Sequence, residues 1–269
     1  PARPPVRVGM IRLGCAKNLV DGAVMLGHLA GSGAQVTADA GEADIVVVNT
    51  CGFIEDAKRE SIDAILEVVG AKEQGAVRRV IVSGCMAQAY AVQLKEEIPE
   101  IDAFVGLDEL ERVVEAVSGE LDGHLPDQQG ALKLYDHHHP RILSTTTYAY
   151  LKVAEGCNNP CTFCHIPAMR GRFRSRSTGD LVIEARRLEA EGVRELVLIA
   201  QDTTRYGEDL GIKRGLRTLL ERLLAETAIP WIRFMYAYPA TLDESLFELM
   251  ADNHRLLPYL DIPLQHASR

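Results

Sequence analysis

Three cysteines, Cys157, Cys161 and Cys164, crowd into the stretch "EGCNNPCTFCHIP", residues 155–167, with the spacing CxxxCxxC. Such a run can hold a metal, close a disulfide or serve a redox loop. Disulfides are disfavoured in the cytosol, so a close-spaced cluster there points to metal or redox chemistry. A closed structural zinc site needs four ligands. The nearest fourth donor, His165, adjoins Cys164 directly, where joint chelation is strained. A [4Fe–4S] cube, in contrast, accepts three thiolates from one short loop and keeps one iron open. An open position marks a reactive centre, because electron carriers usually fill all four with cysteine.

The other three cysteines are Cys15, Cys51 and Cys85. Each follows a short β-branched run, in "MIRLGC", "VVVNTC" and "VIVSGC". Parallel strands point one way, so these residues emerge on one rim, the carboxyl-end rim where α/β sheets bind ligands. The plain alternative is three unrelated buried thiols acting as small apolar residues. Recurrence at equivalent strand ends favours a shared three-thiolate site.

The elements that must position these residues read as two βα series. In the first, "VRVGMIRLG", "ADIVVVNT" and "RRVIVSG" predict strands of a parallel sheet, alternating with helices. "DAKRESIDAILEVVG" places Ile62, Ile65, Leu66 and Val69 on one apolar stripe. "LDELERVVEAVSG" does the same with Leu110, Val113, Val114 and Val117, with Asp108 and Glu111 as a capping box and Gly119 as the stop. Residues 120–146 lose periodicity and read as a linker, in which His137, His138 and His139 could touch a metal but, with nothing nearby to complete a site, read as a solvated polar run. The second series has strands at 148–154, 195–200, 231–237 and 258–264, with helices after the first two and a shorter one near 243–251.

Four βα strands make half of a (β/α) barrel, which takes roughly 250 residues when complete. The sequence is therefore read as part of a longer protein. The expected class is α/β: an N-terminal parallel-sheet domain over 1–125, a linker over 126–146 and a partial barrel over 147–269.

Composition narrows the setting. Apolar residues at 47% and charged residues at 25% are ordinary for a soluble globular chain. No apolar run is long enough to span a bilayer and no hydrophobic leader opens the sequence, so a cytoplasmic location without membrane partners is expected. The net charge of −9 argues against coating nucleic acid by bulk electrostatics. Against that background "RGRFRSR", with Arg170, Arg172, Arg174 and Arg176, could face a phosphate, a carboxylate or an acidic partner, or be a solvated basic loop.

CxxxCxxC after the first strand of a (β/α) barrel resembles the radical S-adenosylmethionine enzymes. The N-terminal domain resembles that of their methylthiotransferase family. "LGCAKNLVD", "VNTCGFIEDAKRESIDAI", "GCNNPCTFC", "IPAMRGRFRSRS", "LIAQDTTRYG" and "PYLDIPLQHAS" resemble the branch that modifies a ribosomal protein. The resemblance spans about Val6 to Ser268, with His165 in place of an aliphatic residue and "DGAVM" in place of a more acidic stretch. Further barrel strands and a small TRAM β-domain would follow in that family.

What the resemblance implies is specific. Cys15, Cys51 and Cys85 would hold an auxiliary [4Fe–4S] cluster, and Cys157, Cys161 and Cys164 the radical-generating one. S-adenosyl-L-methionine on the open iron would yield a 5′-deoxyadenosyl radical, and a second molecule would give its methyl group. A methylthio group would then be placed on the β-carbon of an aspartate in ribosomal protein S12, with an electron-donor protein and a sulfur donor as partners. Phe163 would pack near the adenine, its alternative being ordinary core. Gln201 and Asp202, past the second barrel strand, and Gln265, past the fourth, would meet the nucleoside or substrate; His266 reads as a rim polar group. No catalytic side chain is singled out. The rival substrate is a tRNA adenosine, and the rival class is a non-catalytic iron–sulfur module for electron transfer or sensing.

Overall fold

The β-branched runs all become parallel strands. The computed structural model describes residues 5–127 and 133–263. It divides into two compact units: Pro1–Tyr135 with His139–Ile142 and Cys161–Arg170, and Asp136–His138 with Leu143–Pro160 and Gly171–Arg269.

In the first unit the elements run β1 (Arg7–Arg12), α1 (Ala16–Gly31), β2 (Gln35–Thr37), β3 (Ile45–Thr50), α2 (Glu55–Glu73), β4 (Arg79–Gly84), α3 (Cys85–Glu97), β5 (Ala103–Val105), α4 (Val113–Ser118) and the short α5 (Ile166–Arg170). The five strands form one sheet in the order β2-β1-β3-β4-β5, all pairs parallel. β3 is central and buried at every position, which is why it reads as an unbroken apolar run. Val46, Val48, Val80 and Val82 pack with Ile65, Val68 and Val69 of α2 and with Met86, Ala91 and Leu94 of α3. Right-handed crossovers send α1 to the opposite face, because the chain turns one way after β1 and the other way after β3. That reversal between β1 and β3 opens a crevice at their carboxyl ends.

Three sequence expectations need correction here. On α2 the buried face is Ser61, Ile65, Val68 and Val69, whereas Ile62 and Leu66 are exposed. The expected stripe therefore mixes two faces. The segment after β5 starts as a 3₁₀ turn over Leu110–Arg112, and Glu109, not Asp108, supplies the local bond, accepting from Gly106 N at 2.9 Å. Gly119 does stop α4, in the left-handed conformation at φ 94°.

The third correction concerns the histidine run. His137 donates its backbone N–H to Asp180 Oδ1 at 2.7 Å, with its ring Nδ1 also 2.7 Å from that oxygen. His139 Nδ1 lies 3.0 Å from His28 Nε2. The neighbouring Ile142 N–H donates to Ala23 O at 3.0 Å, and a Cβ at Gly27 would collide with the Pro140 carbonyl. These bonds anchor the run, which is not merely solvated.

The second unit holds β6 (Tyr148–Lys152), β7 (Ala154–Glu155), β8 (Arg174–Ser175), α6 (Thr178–Ala190), β9 (Glu195–Ile199), α7 (Gly215–Glu226), β10 (Trp231–Phe234) and α8 (Ser245–Asp252). Ser177 caps α6 by accepting from Asp180 N at 3.2 Å. β6, β9 and β10 make a parallel sheet in the order β10-β9-β6, as successive barrel strands do. Leu151, Leu196, Leu198 and Ile232 of this sheet pack against Leu181 and Leu188 of α6 and Leu219 and Leu223 of α7.

The fourth expected strand is not a strand among the described residues. Residues 255–261 run alongside β10, with Ile232 donating to Arg255 O, Leu257 to Ile232 O and Ala237 to Asp261 O, but only one bridge, Ile232 with Leu256, is formed. Pro258 and Pro263 each remove a ladder donor from this segment. Leu264 lies outside the described residues.

Candidate metal centre

Cys15, Cys51 and Cys85 follow three strands that are neighbours in the sheet. Cys15 is the N-cap of α1, Cys51 comes directly after β3 and Cys85 is the first residue of α3. Cys15 and Cys51 thus flank the crevice at the reversal of strand order, with Cys85 one strand further on.

Glycine adjoins each cysteine, and at Gly14 and Gly84 the backbone needs it. Gly14 has φ 88°, and a Cβ there would stand 2.8 Å from Cys51 Cβ and 3.2 Å from Cys51 Sγ. Gly84 has φ 89°, and its Cβ would meet Asn49 Oδ1 and Thr50 O, each at 2.5 Å. Gly52 would press on Met86 and Met169. Cys51 is further fixed by Ser61, a buried hydroxyl on α2 that accepts from Cys51 N at 2.9 Å and donates to Cys51 O at 3.0 Å.

Burial pushes Cys51 up, and the charge of Cys15 adds to that. Burial pushes Cys85 to about 11, with Arg170 opposing the shift and Cys15 and Cys51 reinforcing it. Thiols so placed stay protonated until a metal displaces the proton. Among the described residues no three His, Cys, Asp or Glu side chains converge closely enough to hold a single ion. A four-iron cube spaces its thiolates more widely than one ion does. A soft, three-sulfur donor set in a glycine-lined crevice fits such a cluster.

The second set lies on the loop after β7. Cys157 belongs to the second unit, whereas Cys161 and Cys164 belong to the first. Cys157 Sγ accepts from Asn159 N at 3.4 Å, and Cys157 N donates to Gly171 O at 3.1 Å. Gly156, at φ 77°, lies so near the Arg172 carbonyl that a Cβ would collide with it. Cys161 is exposed, and its carbonyl accepts from Cys164 N at 3.1 Å in a tight turn. His165 is exposed, its carbonyl accepting from Ala168 and Met169 at the start of α5.

Phe163 is 73% exposed, which removes the reading of it as ordinary core. Gln201 donates from Nε2 to Glu155 Oε1 at 2.6 Å, and its own Oε1 is buried with no partner among the described residues. Asp202 is buried, accepting from Thr204 Oγ1 at 2.6 Å and Asn159 Nδ2 at 3.2 Å. Gln265 and His266 lie outside the described residues.

Sequence reasoning missed two groups. Lys152 and Glu155, at the carboxyl end of β6 and in β7, form a buried pair at 2.7 Å that orients Gln201. Asn18, Asp21 and Arg170 form a second buried group against Cys85. A signal existed for the latter: Lys17, Asn18 and Asp21 are polar residues in the first half of a mostly apolar helix. Of the basic run, Arg170 faces Asp21, and Arg176 faces Asp180 and Glu184, so carboxylates of the chain itself take up two of its four arginines.

The comparisons with known proteins match two separate segments of the chain. Residues 7–106 match the uncharacterized protein family UPF0004, and residues 151–269 match the radical SAM superfamily. The ribosomal protein uS12 methylthiotransferase RimO of Koribacter versatilis is 44% identical over 100% of this chain and 62% of its own length. That of Symbiobacterium thermophilum is 50% identical over 98% of this chain and 55% of its own. The chain belongs to the radical SAM methylthiotransferase family.

It spans about 55–62% of the length of these curated relatives. A solved radical S-adenosylmethionine methyltransferase, TsrM from Kitasatospora setae with cobalamin and a [4Fe–4S] cluster bound, shares the fold. Its TM-score is 0.62 at 16% identity, over 98% of this chain and 62% of that one. No helix among the described residues is long and apolar enough to cross a membrane.

Proposed function

We propose that this chain carries the cluster-binding part of an enzyme that places a methylthio group on the β-carbon of an aspartate in ribosomal protein uS12. Cys15, Cys51 and Cys85 would hold one [4Fe–4S] cluster and Cys157, Cys161 and Cys164 the other, with S-adenosylmethionine as cosubstrate. The observation that carries the reading is the three glycine-flanked cysteines on adjacent strand ends of a chain that also has CxxxCxxC after a barrel strand. The names of the relatives support the substrate. The proposed setting is the cytoplasm, where free cysteines stay reduced, with an electron donor and a sulfur donor as further partners.

When bound, the clusters and S-adenosylmethionine supply one-electron chemistry strong enough to take hydrogen from an unactivated carbon, and the sulfur to replace it. The chain's own residues bind, orient and keep water out. Lys152 holds Glu155 and Glu155 holds the Gln201 amide, which leaves the buried Gln201 Oε1 to accept from a nucleoside hydroxyl or ammonium. Asp202 is held by Thr204 and Asn159 of the cluster loop, so a ligand that orders the loop also sets this carboxylate. Phe163 offers an exposed apolar face to an adenine, and Gln265 would contact the nucleoside or substrate.

Cys161→Ala should abolish 5′-deoxyadenosine formation and spare the absorbance of the cluster on the first domain. Cys51→Ala should do the reverse, keeping cleavage and losing the thiomethylated product. Cleavage that persists in Cys161→Ala would refute the role of the loop. Mass spectrometry of uS12 and of tRNA after deletion of the gene separates the substrates, with the loss expected on uS12.

A further inference from the structure

Asn18 and Asp21 lie one turn apart on α1, and both are fully buried. A carboxylate in that position is costly unless a cation meets it. Arg170, itself buried, does so: Nη1 and Nη2 donate to Asp21 Oδ2 at 3.3 and 3.2 Å, and Nη2 also donates to Asn18 Oδ1 at 2.5 Å. An ion pair would need no more than this. The third face of the guanidinium is turned elsewhere, with Nε donating to Cys85 Sγ at 3.2 Å.

Asn18 extends the arrangement to the other two cysteines. Its Nδ2 donates to Leu13 O at 3.2 Å and to Thr50 O at 2.7 Å, the carbonyls of the residue two before Cys15 and the residue directly before Cys51. One buried cluster therefore touches the approach to all three cysteines, and its cation is aimed at a sulfur.

We infer that Arg170 is a positioning residue for a cluster on Cys15, Cys51 and Cys85, holding the Cys85 sulfur by a hydrogen bond and setting the reduction potential of the cluster, with Asp21 fixing the guanidinium. The inference rests on the cluster reading above. Hydrogen bonds to ligand sulfurs and local charge are principal determinants of iron–sulfur potentials. A donor and a positive charge at Cys85 stabilise the reduced, more negative cluster and raise its potential. Asp21, of opposite charge, lowers it. Lysine keeps the charge at 170 but loses the planar fork that reaches Asp21 and the sulfur together.

The test uses the full chain with Cys157, Cys161 and Cys164 replaced by alanine, reconstituted anaerobically, so that only the first site remains. The readouts are iron content and an electrochemical titration followed by electron paramagnetic resonance. Arg170→Gln and Arg170→Lys should lower the potential, and Asp21→Asn should raise it. The expected size is about tenfold in the reduction equilibrium, which is 59 mV for one electron.

Opposite shifts from the two partners support the inference, because a merely structural pair would move both variants alike. Unchanged potentials, shifts of one sign, or folded variants that bind no iron would overturn it. Should Arg170→Gln fail to fold, Arg170→Lys and Asp21→Asn decide. Absence of iron with Arg170 and Asp21 both intact refutes the cluster reading instead.

Discussion

Gly84→Ala tests whether the backbone before Cys85 is built for its site. Gly84 has φ 89° and ψ −160°, a region open essentially to glycine alone, so alanine there costs about 1–3 kcal/mol in backbone strain. The new Cβ would stand 2.5 Å from Asn49 Oδ1 and from Thr50 O, and Thr50 is backbone of the central strand. Crowding of that kind costs about 1–3 kcal/mol more. The stiffer unfolded chain returns about 0.4–1 kcal/mol. The net loss is about 3 kcal/mol, a drop of roughly 6–12 °C in Tm for a unit of this size. Thr50 O also accepts from Asn18, so the displacement reaches the cluster of residues against Cys85 and should lower iron uptake as well. Gly70→Ala is the control, since its Cβ meets nothing within 4 Å on α2 and should stabilise by about 0.5–1 kcal/mol. Urea unfolding and iron analysis of both variants check this. A Gly84→Ala chain within about 0.5 kcal/mol of the parent, with full iron, would refute the reasoning.

Two further outcomes follow from the same geometry. Cys85 folds as a thiol with its pKa pushed to about 11, so in the iron-free chain its contribution to stability is whole below the unfolded value of about 8.5 and is lost as pH rises toward 11. The iron-free parent should therefore lose stability faster than Cys85→Ser over that window, and equal slopes would contradict the burial of this thiol. On α2, Ile65→Ala should cost about 2–5 kcal/mol, whereas Ile62→Ala should stay within about 0.5 kcal/mol, as urea midpoints would show.

Much of this arrangement was legible in the residues. The strand runs are β-branched and each ends in a glycine or polar residue, so their carboxyl ends, and with them Cys15, Cys51 and Cys85, could be located in advance. Sequence also yielded the helix stop at Gly119, because only a left-handed conformation ends α4 there. The α2 stripe failed because Ile62 and Leu66 sit beside Ile65 and Val69 on the helical wheel, and periodicity alone does not say which edge of a broad apolar arc meets the sheet. The fourth barrel strand is absent from the described residues because Pro258 and Pro263 interrupt its ladder despite its apolar content. Which groups Arg170 meets was not legible. The contacts join residues 149 and 152 positions apart, and a basic run that could face a phosphate, a carboxylate or solvent does not name its partner.

Anaerobic iron counting on the 269-residue chain bears most directly on the central claim. Two [4Fe–4S] clusters predict about eight irons per chain, falling to about four when Cys15, Cys51 and Cys85 are replaced together, and to about four when Cys157, Cys161 and Cys164 are. About four irons in the parent, with none lost on replacing Cys15, Cys51 and Cys85, would contradict it.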